Sequence, residues 1–102
     1  MTKNVNSLDP IPPGEILFEE FMKPLGISRN RLSRDLDIPV SRVSEIVRGG
    51  RAVTADTALR LSRYFGTSAE MWMSLQSGYD LRVVRTTTWP KVQTRIRARP
   101  AA

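Results

Sequence analysis

The sequence predicts an all-helical domain of five helices built around a helix-turn-helix, followed by an extended basic C-terminal tail. Three observations predict it: apolar residues recur at three- and four-residue spacing from Ile16 to Val84, proline, glycine or capping residues mark each helix boundary, and two short amphipathic segments flank Asp37. A chain of 102 residues with 40% hydrophobic content can bury an ordinary core without metal or disulfide staples. The boundaries suggest a loose arm over 1–11, a helical domain over 12–85 and a tail over 86–102.

Each element has its own signals. Pro12 and Pro13 open the first helix, because proline fits a first turn whose N–H has no partner to lose. Glu15, Glu19 and Glu20 suit the positive end of the dipole, Ile16, Leu17, Phe21 and Met22 form an apolar stripe, and Pro24 is expected to stop the helix. Ser28 caps the second helix, whose inward residues are Leu32 and Leu36. Pro39 begins the third, with Val43, Ile46 and Val47 spaced for burial and Gly49-Gly50 at its end. Thr54 caps the fourth, with Ala58, Leu59, Leu61, Ser62 and Phe65 facing inward and Gly66 as its stop. Thr67 and Glu70 form a capping box for the fifth, which carries Met71, Trp72, Leu75 and Tyr79 and reaches about Val84. Beyond Arg85, β-branched residues and Pro90 end the helix, and residues 91–99 alternate polar with apolar as an extended or disordered segment.

Charge narrows the function. The formal net charge is +6, yet residues 1–80 hold ten basic and ten acidic side chains. The whole excess lies after Asp80, in Arg82, Arg85, Lys91, Arg95, Arg97 and Arg99. Within the balanced part, residues 28–63 carry eight arginines against Asp35, Asp37, Glu45 and Asp56, which makes this the basic face of the body. With no Cys and no His, neither a disulfide scaffold nor a zinc site is expected, no other metal or cofactor is implied, and no nucleophile and base can be paired for an enzyme. No apolar run approaches a membrane span and the N-terminus does not resemble a signal peptide, so a cytoplasmic protein is expected.

The run from Arg29 to Arg48 is the most informative. Two short helices crossing around a tight turn need buried side chains at fixed places, and Leu32, Leu36, Ile38, Val43 and Ile46 supply them. Ser33 is small where the helices approach, and Asp37 is among the few residues other than glycine that tolerate a left-handed backbone. The solvent side of the third helix then holds the candidate base-reading residues Val40, Ser41, Arg42, Ser44 and Glu45. Val40 can meet a thymine methyl, Ser41 several base edges and Arg42 a guanine or a phosphate, while Glu45 can accept from cytosine or orient Arg42. Ser28, Arg29, Arg48, Gly50 and Arg51 are the candidate phosphate contacts. Trp72, Met73 and Tyr79 are too apolar as a group for solvent alone and are expected in the core or in an interface with a second copy or another protein. The tail can grip DNA nonspecifically, fold on a partner or serve as a solubilising end.

The chain resembles HigA-type antitoxins of the Xre helix-turn-helix class, whose domain is lambda-repressor-like. The resemblance spans Pro10 to Arg85. It is carried by Pro10-Ile-Pro-Pro-Gly-Glu-Ile-Leu, Glu19-Glu-Phe, Pro24-Leu-Gly-Ile-Ser, Ser44-Glu-Ile-Val-Arg-Gly, Thr54-Ala-Asp-Thr-Ala-Leu-Arg-Leu-Ser-Arg-Tyr-Phe-Gly-Thr-Ser and Tyr79-Asp-Leu-Arg. It implies a homodimer that binds double-stranded DNA at a palindromic operator, represses its own operon and neutralises a HigB-type mRNA-cleaving toxin. The alternative is a stand-alone Xre-type regulator without a toxin. Asp37 in place of the commoner Gly, Ser33 in place of the commoner Ala, and the tail after Thr86 depart from the family pattern.

Overall fold

The computed structural model describes residues 9–101, so most of the expected arm over 1–11 lies outside the described residues. Among them every regular element is helical. Helix α1 covers residues 13–25, α2 Arg29–Leu36, α3 Val40–Val47, α4 Ala55–Phe65, α5 Ala69–Thr86 and α6 Trp89–Val92, with a 3₁₀ turn at Gln93–Arg95.

Helix α1 is α-helical over Pro13–Ile16, π-helical over Leu17–Met22 and α-helical again over Lys23–Leu25. The expected stop at Pro24 is therefore two residues early. In a regular helix the proline ring would strike the carbonyl four residues back, that of Glu20, and Glu20 lies within the widened π segment. There the Lys23 N–H reaches five residues back to the Phe18 carbonyl. The helix ends at Gly26, which takes a left-handed φ of 64°, and the Ile27 N–H returns to the Met22 carbonyl at 2.9 Å.

The two helices of the motif are fixed by their ends. The Ser28 side chain accepts from the Arg31 N–H at 3.1 Å. Asp37 takes φ 56°, the left-handed conformation expected of it, and is the one non-glycine residue with positive φ among those described. A reciprocal pair closes the turn: the Ile38 N–H donates to the Ser33 carbonyl at 3.1 Å, and Ser33 Oγ donates to the Ile38 carbonyl at 2.6 Å. After α3, Gly49 adopts φ 82° and the Gly50 N–H bonds back to the Glu45 carbonyl at 2.9 Å.

Leu32, Leu36, Ile38, Val43 and Ile46 are all buried, joined by Leu17, Met22, Val53, Ala58, Leu61 and Trp72. Removing such side chains from water is the main favourable term, roughly 1.5–3 kcal/mol for each large one. Phe21 lies between Phe65 and Trp72, with ring centroids 5.0 and 5.1 Å away. On α4 the inward face is shifted from expectation: Thr57 is buried and Leu59 is 61% exposed. Ala58 and Leu61 already fill the space toward the core, and Leu59 sits between them on the other side of the helix.

Gly14 explains the tight seat of α1 on α3. It is buried, and a Cβ there would collide with the Ile46 carbonyl on α3. Only hydrogen fits at that approach.

The N-cap of α5 is Ser68, whose side chain accepts from the Met71 N–H at 3.0 Å, and not Thr67 as the capping-box spacing suggests. Thr67 Oγ1 instead accepts from the Trp72 indole N–H at 2.8 Å, which satisfies the polar atom of a fully buried ring. The other end runs past Val84, where the hydroxyls of Thr86 and Thr87 donate to the Arg82 and Val83 carbonyls at 2.7–3.1 Å and the Thr87 N–H donates to the Val84 carbonyl at 3.2 Å. Residues 89–95 then make a helical turn where an extended segment is expected. Pro90 sits in its first turn, where proline costs nothing, and extended backbone starts only at Ile96.

Candidate nucleic-acid interface

The outer side of α3 is a polar face backed by the core. Val43 and Ile46 point inward, while Val40 is 42% exposed and Ser41 is exposed beside it. Arg42, Ser44 and Glu45 are half-buried, and Arg48 is exposed after the last turn. An α-helix with this division can lay its N-terminal half into a major groove while its other side holds the domain together.

Two ion pairs orient the charged members of this face. Arg42 Nη1 lies 3.7 Å from Asp56 Oδ2 at the start of α4. Glu45 Oε2 lies 3.4 Å from Arg51 Nη2 in the loop after α3. Glu45 therefore orients Arg51, and the partner of Arg42 is Asp56. Both pairs are partly exposed, so each is worth at most about 1 kcal/mol and is easily exchanged for a phosphate or a base. Arg42, Arg51, Ala52, Thr54, Asp56 and Thr57 line a shallow recess of about 230 Å³ between α3 and α4.

Of the remaining candidate phosphate contacts, Ser28, Gly50 and Arg51 are exposed and Arg29 is half-buried at the positive end of α2. The Ser28 oxygen is used as the cap, which leaves its hydroxyl hydrogen for an acceptor.

The apolar group on α5 separates. Trp72 is fully buried against Phe21 and hydrogen-bonded to Thr67, so it is a core residue and not an interface residue. Its place on the inward side of α5, which faces α1 and α4, accounts for the change. Met73 is exposed, and Tyr79 is half-buried along a groove of about 440 Å³ that also includes Ile11, Leu75, Gly78 and Arg82.

Three supporting residues gave no signal in the sequence because each has a decisive partner far along the chain. Arg60 donates from Nη1 to the carbonyls of Leu36 and Asp37 at 2.7 and 3.1 Å, and from Nε to Asp56 at 2.9 Å. It thus ties the turn of the motif to α4. Gln76, buried on α5, accepts from the Val53 N–H at 2.7 Å and donates to Asp80 at 2.9 Å, which anchors the loop after α3. Tyr64 donates its phenol O–H to Asp35 at 2.7 Å, and that carboxylate raises the Tyr64 pKa above the ordinary 10.0.

The fold and the exposed face of α3 define a helix-turn-helix DNA-binding domain. A family model described as "Helix-turn-helix" matches residues 18–72. The chain is 51% identical over 78 residues to virulence-associated protein I of Dichelobacter nodosus, covering 76% of this chain and 72% of that protein. It is 33% identical over 72 residues to antitoxin HigA-1 of Vibrio cholerae, covering 71% and 68% of the two chains. Among solved structures it is similar to the antitoxin HigA of Pseudomonas aeruginosa with the higBA promoter, at 43% identity and a TM-score of 0.83 over 86% of this chain and 96% of that one. The chain belongs to the helix-turn-helix family and, within it, to the HigA-type antitoxins. Among the described residues no helix is long and apolar enough to cross a membrane.

Proposed function

We propose that the protein is a dimeric antitoxin and repressor that reads a palindromic operator in its own upstream DNA through α3 and neutralises a HigB-type toxin in the cytoplasm. The observation that carries this function is the exposed N-terminal half of α3, with Val40 and Ser41 foremost, held on a fully packed core. The similarity to a HigA antitoxin solved with its promoter supports the same role.

Val40, Ser41, Arg42, Ser44 and Glu45 supply the base contacts, and Ser28, Arg29, Arg48, Gly50 and Arg51 fix the register on the phosphates. A symmetric dimer then requires half-sites about 10 bp apart or a multiple of that spacing. Met73, Leu81 and Val84 share one exposed side of α5, and Tyr79 lies on another side along the groove with Ile11 and Leu75; these are the apolar surfaces of α5 for the second copy or the toxin.

Titration of the purified protein against its own upstream duplex and a scrambled duplex tests the DNA-reading function. A preference of about 10³ or more for the upstream duplex is expected. Equal, salt-sensitive binding to both would mean that the basic tail alone grips phosphate. Co-expression with the product of an adjoining gene tests the toxin half, because operator binding without relief of growth arrest would leave a stand-alone regulator.

A further inference from the structure

We propose that Asp56 is a positioning residue for base reading: its carboxylate pairs with the Arg42 guanidinium and sets the pose from which that side chain meets DNA, so that discrimination by α3 depends on a carboxylate of α4. This rests on the DNA-reading function proposed above.

Asp56 Oδ2 is shared by two arginines. Arg60 Nε approaches it at 2.9 Å and Arg42 Nη1 at 3.7 Å. Arg60 is itself pinned, because its Nη1 donates to the carbonyls of Leu36 and Asp37 in the turn between the motif's two helices. The carboxylate is therefore tethered to that turn, and it draws Arg42 toward one pose through the 3.7 Å ion pair. A free arginine has many rotamers, and one already held loses less freedom when its planar fork meets a base edge. Asp56 also sets a negative charge beside the face that approaches DNA, with 58% of its side chain exposed. Phosphates on any duplex meet that charge, whereas only the correct base accepts the guanidinium Asp56 presents. The same carboxylate thus weakens nonspecific binding and sharpens specific binding.

The test compares wild type, Asp56→Asn and Asp56→Glu on the upstream and scrambled duplexes, each alone and with Arg42→Ala, with thermal unfolding as the check on folding. Asp56→Asn is expected to bind scrambled DNA two- to threefold more tightly and to lose roughly three- to fivefold of its preference for the upstream duplex. Asp56→Glu is expected to restore most of that preference. In the Arg42→Ala background, Asp56→Asn is expected to change the preference no further, since the residue acts through Arg42. A parallel fall of both affinities, an unchanged preference, or an equal loss in the Arg42→Ala background would overturn the proposal. A wild type with no preference at all would instead overturn the DNA-reading function, and it would do so before any variant is compared.

Discussion

Helices α3 and α5 use their apolar residues differently. On α3 the inward residues Val43 and Ile46 are covered by α1 and by the rest of the core, and the outward side is polar apart from Val40. On α5 the first half is anchored by Trp72 and Gln76, whereas no residue of 77–86 is buried and Leu81 and Val84 are exposed. A helix of the first kind is specified by its own chain. One of the second kind carries apolar surface that the described residues do not cover, which is the pattern expected of a docking surface.

Breaking the covered side should have the largest effect. Gly14→Ala places a methyl against the Ile46 carbonyl, and α1 must shift off α3 to admit it. A loss of about 4 kcal/mol or more is expected, read as a collapse of the thermal or urea unfolding transition. Trp72→Ala should cost about 3–4 kcal/mol by emptying the core beside Phe21, whereas Leu81→Ser, on the uncovered half of the same helix, should change unfolding by less than about 0.5 kcal/mol. Equal losses at the two positions would erase the distinction between the halves of α5.

Gln76→Leu leaves the Val53 N–H without its acceptor in a buried place, and a loss of about 1–3 kcal/mol in urea unfolding is expected. The smallest effect belongs to Tyr64. Its folded-state pKa is raised above 10.0, so the stabilisation it gives is present below pH 10 and lost as pH rises through the raised value. An ultraviolet titration should show a late phenol component that Tyr64→Phe removes.

What the sequence made legible was local. The spacing of Leu32, Leu36, Ile38, Val43 and Ile46 fixed the motif, and Asp37 declared its left-handed turn, because helical period and turn chemistry act over a few residues. Pairings across long stretches of chain were hidden. Nothing near Gly14 names Ile46, nothing near Gln76 names Val53, and Asp56 reads as an ordinary first-turn acid until Arg42 and Arg60 are seen beside it. The capping-box spacing pointed to Thr67, but the buried Trp72 indole takes the Thr67 hydroxyl as its acceptor, a contact with a side chain whose burial the spacing does not report, and Ser68 caps α5. The short helical turn after Thr88 was masked by alternating residues that also suit a strand.

The central claim, that the outer face of α3 reads DNA, is tested most directly by comparing Arg42→Ala with wild type on the upstream and scrambled duplexes across a salt series. The account predicts that the variant loses roughly tenfold or more in preference for the upstream duplex while still binding scrambled DNA with a similar salt dependence. An unchanged preference would contradict it and move sequence reading away from α3.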